Sequence, residues 1–256
     1  MNFSALRYEE LSLNTFPNLQ TEVYDGWILR FCEGAGWEDN CVFPLYLSTR
    51  AYEDKIAYCE HRFSERLLPF AFKMTANVSS ALDQQLAEKG YEMVEKTKLL
   101  ECSLHSEVQE SVQMGNTAVA ITITRQPEED WLEAFLKLRG ICGNRDEQAE
   151  RILIKAVRSP ICCAAVVRDG SILGCGLGIL KGDTIGLYDI RTAGSVSGSG
   201  LETAICRAIM REGYENGAQK AYIQIPSSSR VWLNLYEFLG FHEVYQFWYR
   251  RKPVFS

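Results

Sequence analysis

The chain has 256 residues, long enough for one large domain or two modest ones, each with its own core. Its 46 % hydrophobic and 23 % charged content is ordinary for a soluble globular protein. A net charge of −6 with no basic stripe argues against nucleic-acid binding, which needs cations to displace counterions; it serves solubility first and can still attract a cationic amine.

From the N-terminus, Met1–Glu10 is polar and has no signal-peptide apolar core. The first strand is placed at Glu22–Cys32 and the next at Cys41–Leu47, followed by a helix over Ala51–Arg66. Phe70–Met74 reads as a strand, Ser80–Lys89 as a helix and Glu92–Cys102 as a strand. The stretch His105–Asn116, HSEVQESVQMGN, is polar and aperiodic and ends in a Gly-Asn turn signal. It marks a seam between segments 1–110 and 117–256.

The second segment parses more cleanly. Ala118–Thr124 alternates as a strand, and Pro127 with Glu128, Glu129 and Asp130 opens a helix that runs to about Cys142. A second helix spans Glu147–Val157 and is ended by Pro160. Strands follow at Cys162–Arg168, Ile172–Leu180 and Thr184–Arg191, joined by Asp169-Gly170 and Gly182-Asp183 turns. The helix Leu201–Met210 carries Leu201, Ala204, Ile205, Ala208 and Ile209 on one face. Ala221–Ile225 is a strand, Val231–Leu239 a helix and Phe241–Arg251 a strand. This order predicts an α/β fold, a mixed sheet covered by helices. Leu82–Tyr91 echoes Leu235–Phe241: each is a helix stopped by a glycine that feeds an aromatic into a strand, which points to two copies of one fold.

The segment 184–200, TIGLYDIRTAGSVSGSG, carries the chemistry. It is a strand, a Gly/Ser turn and a helix start. Gly194, Gly198 and Gly200 permit a tight turn, and the first N–H groups of the helix point at whatever anion sits there, as in a phosphate cradle. The bland alternative is a surface loop. The turn lacks the Lys-Ser/Thr of a Walker loop, no G-x-G-x-x-G follows a strand, and G-S-V-S-G is not a nucleophile elbow. His61, His105 and His242 stand far apart, so no metal is expected. Nine cysteines without a C-x-x-C fit reduced thiols, and with no apolar run of membrane-spanning length the chain is read as cytoplasmic, off the membrane.

These residues resemble the GNAT-type N-acetyltransferases, most strongly from Ala118 to Pro253. Ser195-Val-Ser-Gly198-Ser-Gly200 sits where that family has Q/R-x-x-G-x-G/A, AYIQI where it has the strand that splays from its neighbour, and Leu235–Phe241 where it has L-Y-x-x-x-G-F. The ending YQFWYRRKP and the early GWILRF…DNCVFPL resemble a subset with two tandem domains, the first degenerate. The resemblance implies two tandem acyl-CoA N-acyltransferase domains using acetyl-CoA and transferring its acyl group to a primary amine of a small molecule or peptide. Main chain at Ile190, Arg191 and Thr192 would meet the pantetheine arm, with the oxyanion held near Ile190. Backbone groups over Ser195, Val196, Ser197, Gly198, Ser199, Gly200 and Leu201 would hold the pyrophosphate. Ser229 would lie beside the cofactor, and Tyr236 would protonate the leaving thiolate.

The departures are specific. The family usually has Arg or Gln at Ser195, often a basic residue at Ser197, and commonly Asn at Ser229. Each lost exposed cation weakens the attraction for a pyrophosphate by on the order of 1 kcal/mol. A non-catalytic acyl-CoA sensor and a pseudoenzyme interaction module therefore stay open beside the enzyme, and a homodimer is not excluded. Tyr236 is an acid or a core aromatic, and Asp189 a general base or an exposed strand residue. Glu202 is expected to be a dipole partner, and Trp27, Arg30 and Asn40 structural residues, with the lining of an acceptor pocket as their alternative.

Overall fold

The computed structural model describes residues 2–33, 36–105, 119–143, 145–194 and 200–253. The first half runs α1 (Phe3–Thr15), β1 (Gln20–Tyr24), β2 (Trp27–Phe31), β3 (Cys41–Pro44), α2 (Tyr52–Ser64), β4 (Ala71–Met74), α3 (Ser80–Glu88) and β5 (Glu92–Ser103). The second runs β6 (Ala120–Thr124), α4 (Glu129–Leu138), α5 (Arg145–Ala156), β7 (Ile161–Arg168), β8 (Ser171–Lys181) and β9 (Thr184–Thr192), then α6 (Leu201–Glu215), β10 (Lys220–Pro226), α7 (Arg230–Phe238) and β11 (His242–Arg251).

One sequence expectation needs correction, and one element was not anticipated. The single strand placed at Glu22–Cys32 is a hairpin, β1 and β2, turned by Asp25 and Gly26, both at positive φ (42° and 81°). An Asp-Gly pair supplies the left-handed backbone of a two-residue turn. The polar N-terminus is a helix, α1, capped by the Asn2 side chain, which accepts from the Ala5 N–H at 3.1 Å. Its buried face contains Tyr8 and Glu9, so it docks by hydrogen bonds as well as by apolar packing.

All eleven strands form one sheet in the order β1-β2-β3-β4-β11-β5-β10-β9-β8-β7-β6. The order has an internal symmetry about the β11–β5 seam. β3 and β4 are parallel with α2 between them in sequence, and β9 and β10 are parallel with α6 between them. The last strand of each half then crosses over: β5 pairs antiparallel with β10, and β11 with β4. β5 and β11 pair with each other. Two copies of one fold thus exchange their final strands, and neither half owns a complete sheet. Arg250 of β11 is locked to Asp83 of α3 by two hydrogen bonds, at 2.8 and 2.7 Å.

The core of the second half lies where α6 crosses β8 and β9. Gly174, Gly176 and Gly178 leave the α6 side of β8 bare, so the helix can approach. A Cβ at Gly176 would stand 2.6 Å from methyls of both Ile190 and Ile205. Gly176→Ala is therefore expected to cost about 1–3 kcal/mol through overpacking, read as a lower urea midpoint at unchanged m-value. On the opposite side of the sheet, Trp131 and Phe135 of α4 stack at 4.6 Å, and the Trp131 indole donates to the Ala164 carbonyl at 2.9 Å. All nine cysteines are unbridged and eight are buried, where they serve as small apolar side chains. Among the described residues no helix is long and apolar enough to cross a membrane.

Candidate active site

The splay expected between the central parallel strands is present. β9 and β10 share a register from Thr184↔Lys220 to Leu187↔Ile223. Both strands continue beyond it, to Thr192 and Pro226, without pairing to each other. β10 follows β5 there, with Ile225 opposite Lys98 and Pro226 opposite Thr97. On its other edge β9 bulges: Leu177 faces Tyr188, but Cys175 faces Arg191, so two steps on β8 match three on β9. Asp189 takes the extra position at φ 47°. A bulge of this kind bends the strand and frees main-chain groups from the ladder. Between the parted strands lies a cleft of ≈ 180 Å³, closed on one side by Trp232 and Tyr236 of α7.

Tyr236 is 1 % exposed. Its ring stacks on Trp232 at 6.0 Å and meets Phe241 edge-on at 5.4 Å. Among the described residues its hydroxyl has only a soft hydrogen-bonding neighbour, the Cys206 thiol at 3.9 Å. Burial pushes the phenol well above its ordinary pKa, so the proton is held at neutral pH. The charges of Arg191 and Asp189 both reach it.

Asp189 is ion-paired. Its carboxylate lies 3.3 Å from Nε of Arg139 and 3.9 Å from the Arg191 guanidinium. Arg139 also holds Glu150 at 2.6 Å. Burial works against the Arg139 cation, but Asp189 and Glu150 more than offset it and raise its pKa. The pairing fits Asp189 to anchoring the bulge.

The remaining expected residues fall in three places. Ile190 and Arg191 line the cleft with Asp189 and Tyr236. Thr192, Gly200, Leu201 and Ser229 do not. The Thr192 hydroxyl donates to Glu202 at 2.5 Å in the first turn of α6. Gly200 is the N-cap residue of α6 at φ 87°, with open space where a Cβ would be, and Leu201 is buried behind it. Ser229 is the N-cap residue of α7 and makes no side-chain cap bond. Ser195, Val196, Ser197, Gly198 and Ser199 lie outside the described residues.

Eight cleft residues were not among the expected ones, Tyr188, Tyr222, Gln224 and Trp232 with them. The Tyr188 and Tyr222 hydroxyls are hydrogen-bonded to each other. Trp232 was within reach of the sequence, since it precedes Tyr236 by four residues on one helix face. The first-half candidates serve structure. The Asn40 side chain bonds the Cys32 main chain in both directions, at 2.8 and 3.0 Å. Arg30 donates to the Phe16 carbonyl at 2.5 Å, and Trp27 is buried against Phe72. Among the described residues no group of three or more His, Cys, Asp or Glu is placed to hold a metal ion.

A family model described as "Probable histone acetyltransferase Rv0428c C-terminal" matches residues 4–250. An uncharacterized N-acetyltransferase of Bacillus subtilis (strain 168), YobR, is 23 % identical over 252 residues, 96 % of this chain and 98 % of its own. Among solved structures, a GCN5-related N-acetyltransferase from Kribbella flavida superposes with a TM-score of 0.71 at 14 % identity, over 97 % of this chain and 95 % of that one. A tandem GNAT protein from the clavulanic acid biosynthesis pathway gives 0.66 at 13 % identity, over 94 % and 86 %. At such identities the structures speak to the fold.

Proposed function

The chain belongs to the Rv0428c C-terminal acetyltransferase family and is a GNAT-type N-acetyltransferase; from that premise we propose that it transfers an acetyl or related acyl group from acyl-CoA to a primary amine of a small molecule or peptide. The observation that carries this reading is the parting of β9 from β10 around a buried, protonated Tyr236.

The residues present fit the coenzyme. Main chain over 188–192 and 224–226 lies beyond the β9–β10 register, as an arm of alternating amides requires. One residue past Pro226, the Ser227 hydroxyl is buried without a partner among the described residues. When bound, the coenzyme supplies an activated acyl thioester. Ile190 and Thr192 would hold its arm by main-chain groups, and the turn from Ser195 to Gly200 with Leu201 its diphosphate. Arg191, half-exposed at the cleft, supplies a cation that Ser195 and Ser197 do not. Tyr236 holds at its hydroxyl the proton that a leaving thiolate takes up. The acceptor attacks as the neutral amine after releasing its ammonium proton to solvent; Asp189 anchors the bulge through Arg139, and a base role would need it to release Arg139 first.

We take 1–110 and 117–256 as the extents of the two copies, with the second catalytic and the first shaping the acceptor side. The acidic balance favours a cationic acceptor and the reduced thiols a cytoplasmic setting. Calorimetry with CoA, followed by turnover of acetyl-CoA across a panel of primary amines, tests the proposal. One equivalent bound with turnover of at least one amine is expected. Tight binding without turnover would make the chain a sensor, and no binding at millimolar CoA would remove the reading.

A further inference from the structure

The bulge in β9 is held from two sides. Ile185, Leu187 and Ile190 all belong to the core under α6, a spacing of two and then three. A regular strand alternates, so Ile190 reaches that core only because Asp189 takes the extra position. Among the described residues neither Asp189 nor Ile190 has a register partner on β8 or β10. Both line the cleft, and Asp189 carries a left-handed backbone, φ 47°, that a residue other than glycine adopts at a cost. With the ladder interrupted, the hold on this stretch falls to side chains.

Arg139 supplies that hold from the α4 side. It is the C-cap residue of α4, where its N–H bonds the Phe135 and Leu136 carbonyls at 3.2 and 3.1 Å, and Gly140, at φ 78°, turns the chain away. The root of its side chain is thereby fixed. Its guanidinium works as a fork: Nε lies 3.3 Å from the Asp189 carboxylate, and Nη1 donates to Glu150 of α5 at 2.6 Å. Glu150 is 7 % exposed, and its neighbours Ala149 and Leu153 pack with Cys32 and Phe16 of the first half. The second tine of the fork thus rests on a helix seated against the other copy. Asp39 of the first half adds its charge to those of Asp189 and Glu150 at Arg139. A lysine would keep the cation but present a single point where the arginine presents a planar fork.

We propose that Arg139 is a positioning residue for acyl transfer: acting through Asp189, and braced by Glu150, it fixes the main chain of Asp189 and Ile190 at the cleft. The inference rests on the acyl-transfer reading, in which the Ile190 N–H would meet the acyl oxygen. A group that aligns this donor changes the rate more than the binding.

Arg139→Lys, Asp189→Asn and the double variant are compared with wild type in the full-length chain. The measurements are turnover of acetyl-CoA with an amine that wild type accepts, calorimetric CoA affinity, and hydrogen exchange over 188–192 without ligand. Asparagine tolerates positive φ, so Asp189→Asn removes the charge and leaves the backbone conformation accessible. Each single variant is expected to lower kcat about 10- to 100-fold while CoA affinity and the acceptor KM stay within about twofold. Exchange over 188–192 is expected to speed up about tenfold, with α6 and β7 as in wild type. Because Arg139 acts through Asp189, the double variant should lose no more than the worse single one. A kcat in Arg139→Lys within about twofold of wild type, losses that multiply in the double variant, or exchange at the wild-type rate would each overturn the proposal. Exchange is read in the free chain, so it decides on the brace even if no amine is turned over, the outcome that removes acyl transfer itself. Asp189, 33 % exposed, breaks the same pair from the cleft side and decides where an Arg139 variant does not fold.

Discussion

Tyr236→Phe is expected to lower kcat by about 10²- to 10⁴-fold, the usual contribution of a positioned general acid, while the dissociation constant for CoA stays close to wild type. The phenol ring is held by Trp232 and Phe241, contacts that phenylalanine keeps. Among the described residues the lost hydroxyl has a thiol 3.9 Å away as its only side-chain partner, so removing it strands no strong donor or acceptor there. Folding stability should therefore barely move, and the rate loss reports the proton rather than the packing. The pH dependence has a definite sign. The folded pKa lies above the ordinary value of 10, so the acid is intact throughout the neutral range, and its loss would begin only on the far alkaline side. Steady-state turnover beside calorimetric CoA affinity is the measurement, and an unchanged kcat would take the acid role from Tyr236.

That residue shows how much the sequence could say. The spacing around Leu235, Tyr236 and Gly240 was visible because a glycine-stopped amphipathic helix leaves a local signature, and the strands of the second half are written in β-branched residues between turn signals. Helix α1 was invisible for a physical reason: its buried side includes Tyr8 and Glu9, whose partners Glu101, Lys73 and Tyr245 are distant in sequence. No periodicity of apolar residues announces such a face. The exchange of β5 and β11 was equally hidden, because strand order is a tertiary fact and both strands read the same wherever they insert. The Asp189 bulge belongs to the same class. A one-residue mismatch between β8 and β9 depends on register, and so does the ion pair from Asp189 to Arg139. The Asp25–Gly26 turn had a recognisable signal in the sequence, yet its capture of the Thr49 and Arg50 amides depends on two loops meeting in space.

Removing one partner of the buried Glu9–Lys73 pair should be the most destabilising single change in the molecule. Lys73 of β4 is 3 % exposed and Glu9 of α1 is fully buried, with 2.9 Å between their charged atoms. The second Glu9 oxygen accepts from the Tyr245 hydroxyl at 2.7 Å, and the Lys73 ammonium sits 3.9 Å from the centre of the Phe247 ring. One cluster thus ties the N-terminal helix, a first-half strand and the crossed-over β11 at the seam of the sheet. Lys73→Ala leaves a carboxylate buried without its cation and should cost about 3–5 kcal/mol, whereas replacing both, as Glu9→Leu with Lys73→Met, should cost far less because desolvation of the ions is removed together with their attraction. Urea unfolding of the single and double variants measures the difference as a coupling energy. A single variant that loses less than about 1 kcal/mol would mean that water reaches the pair in solution, and that α1 is held to the seam by Tyr8 and Ala5 instead.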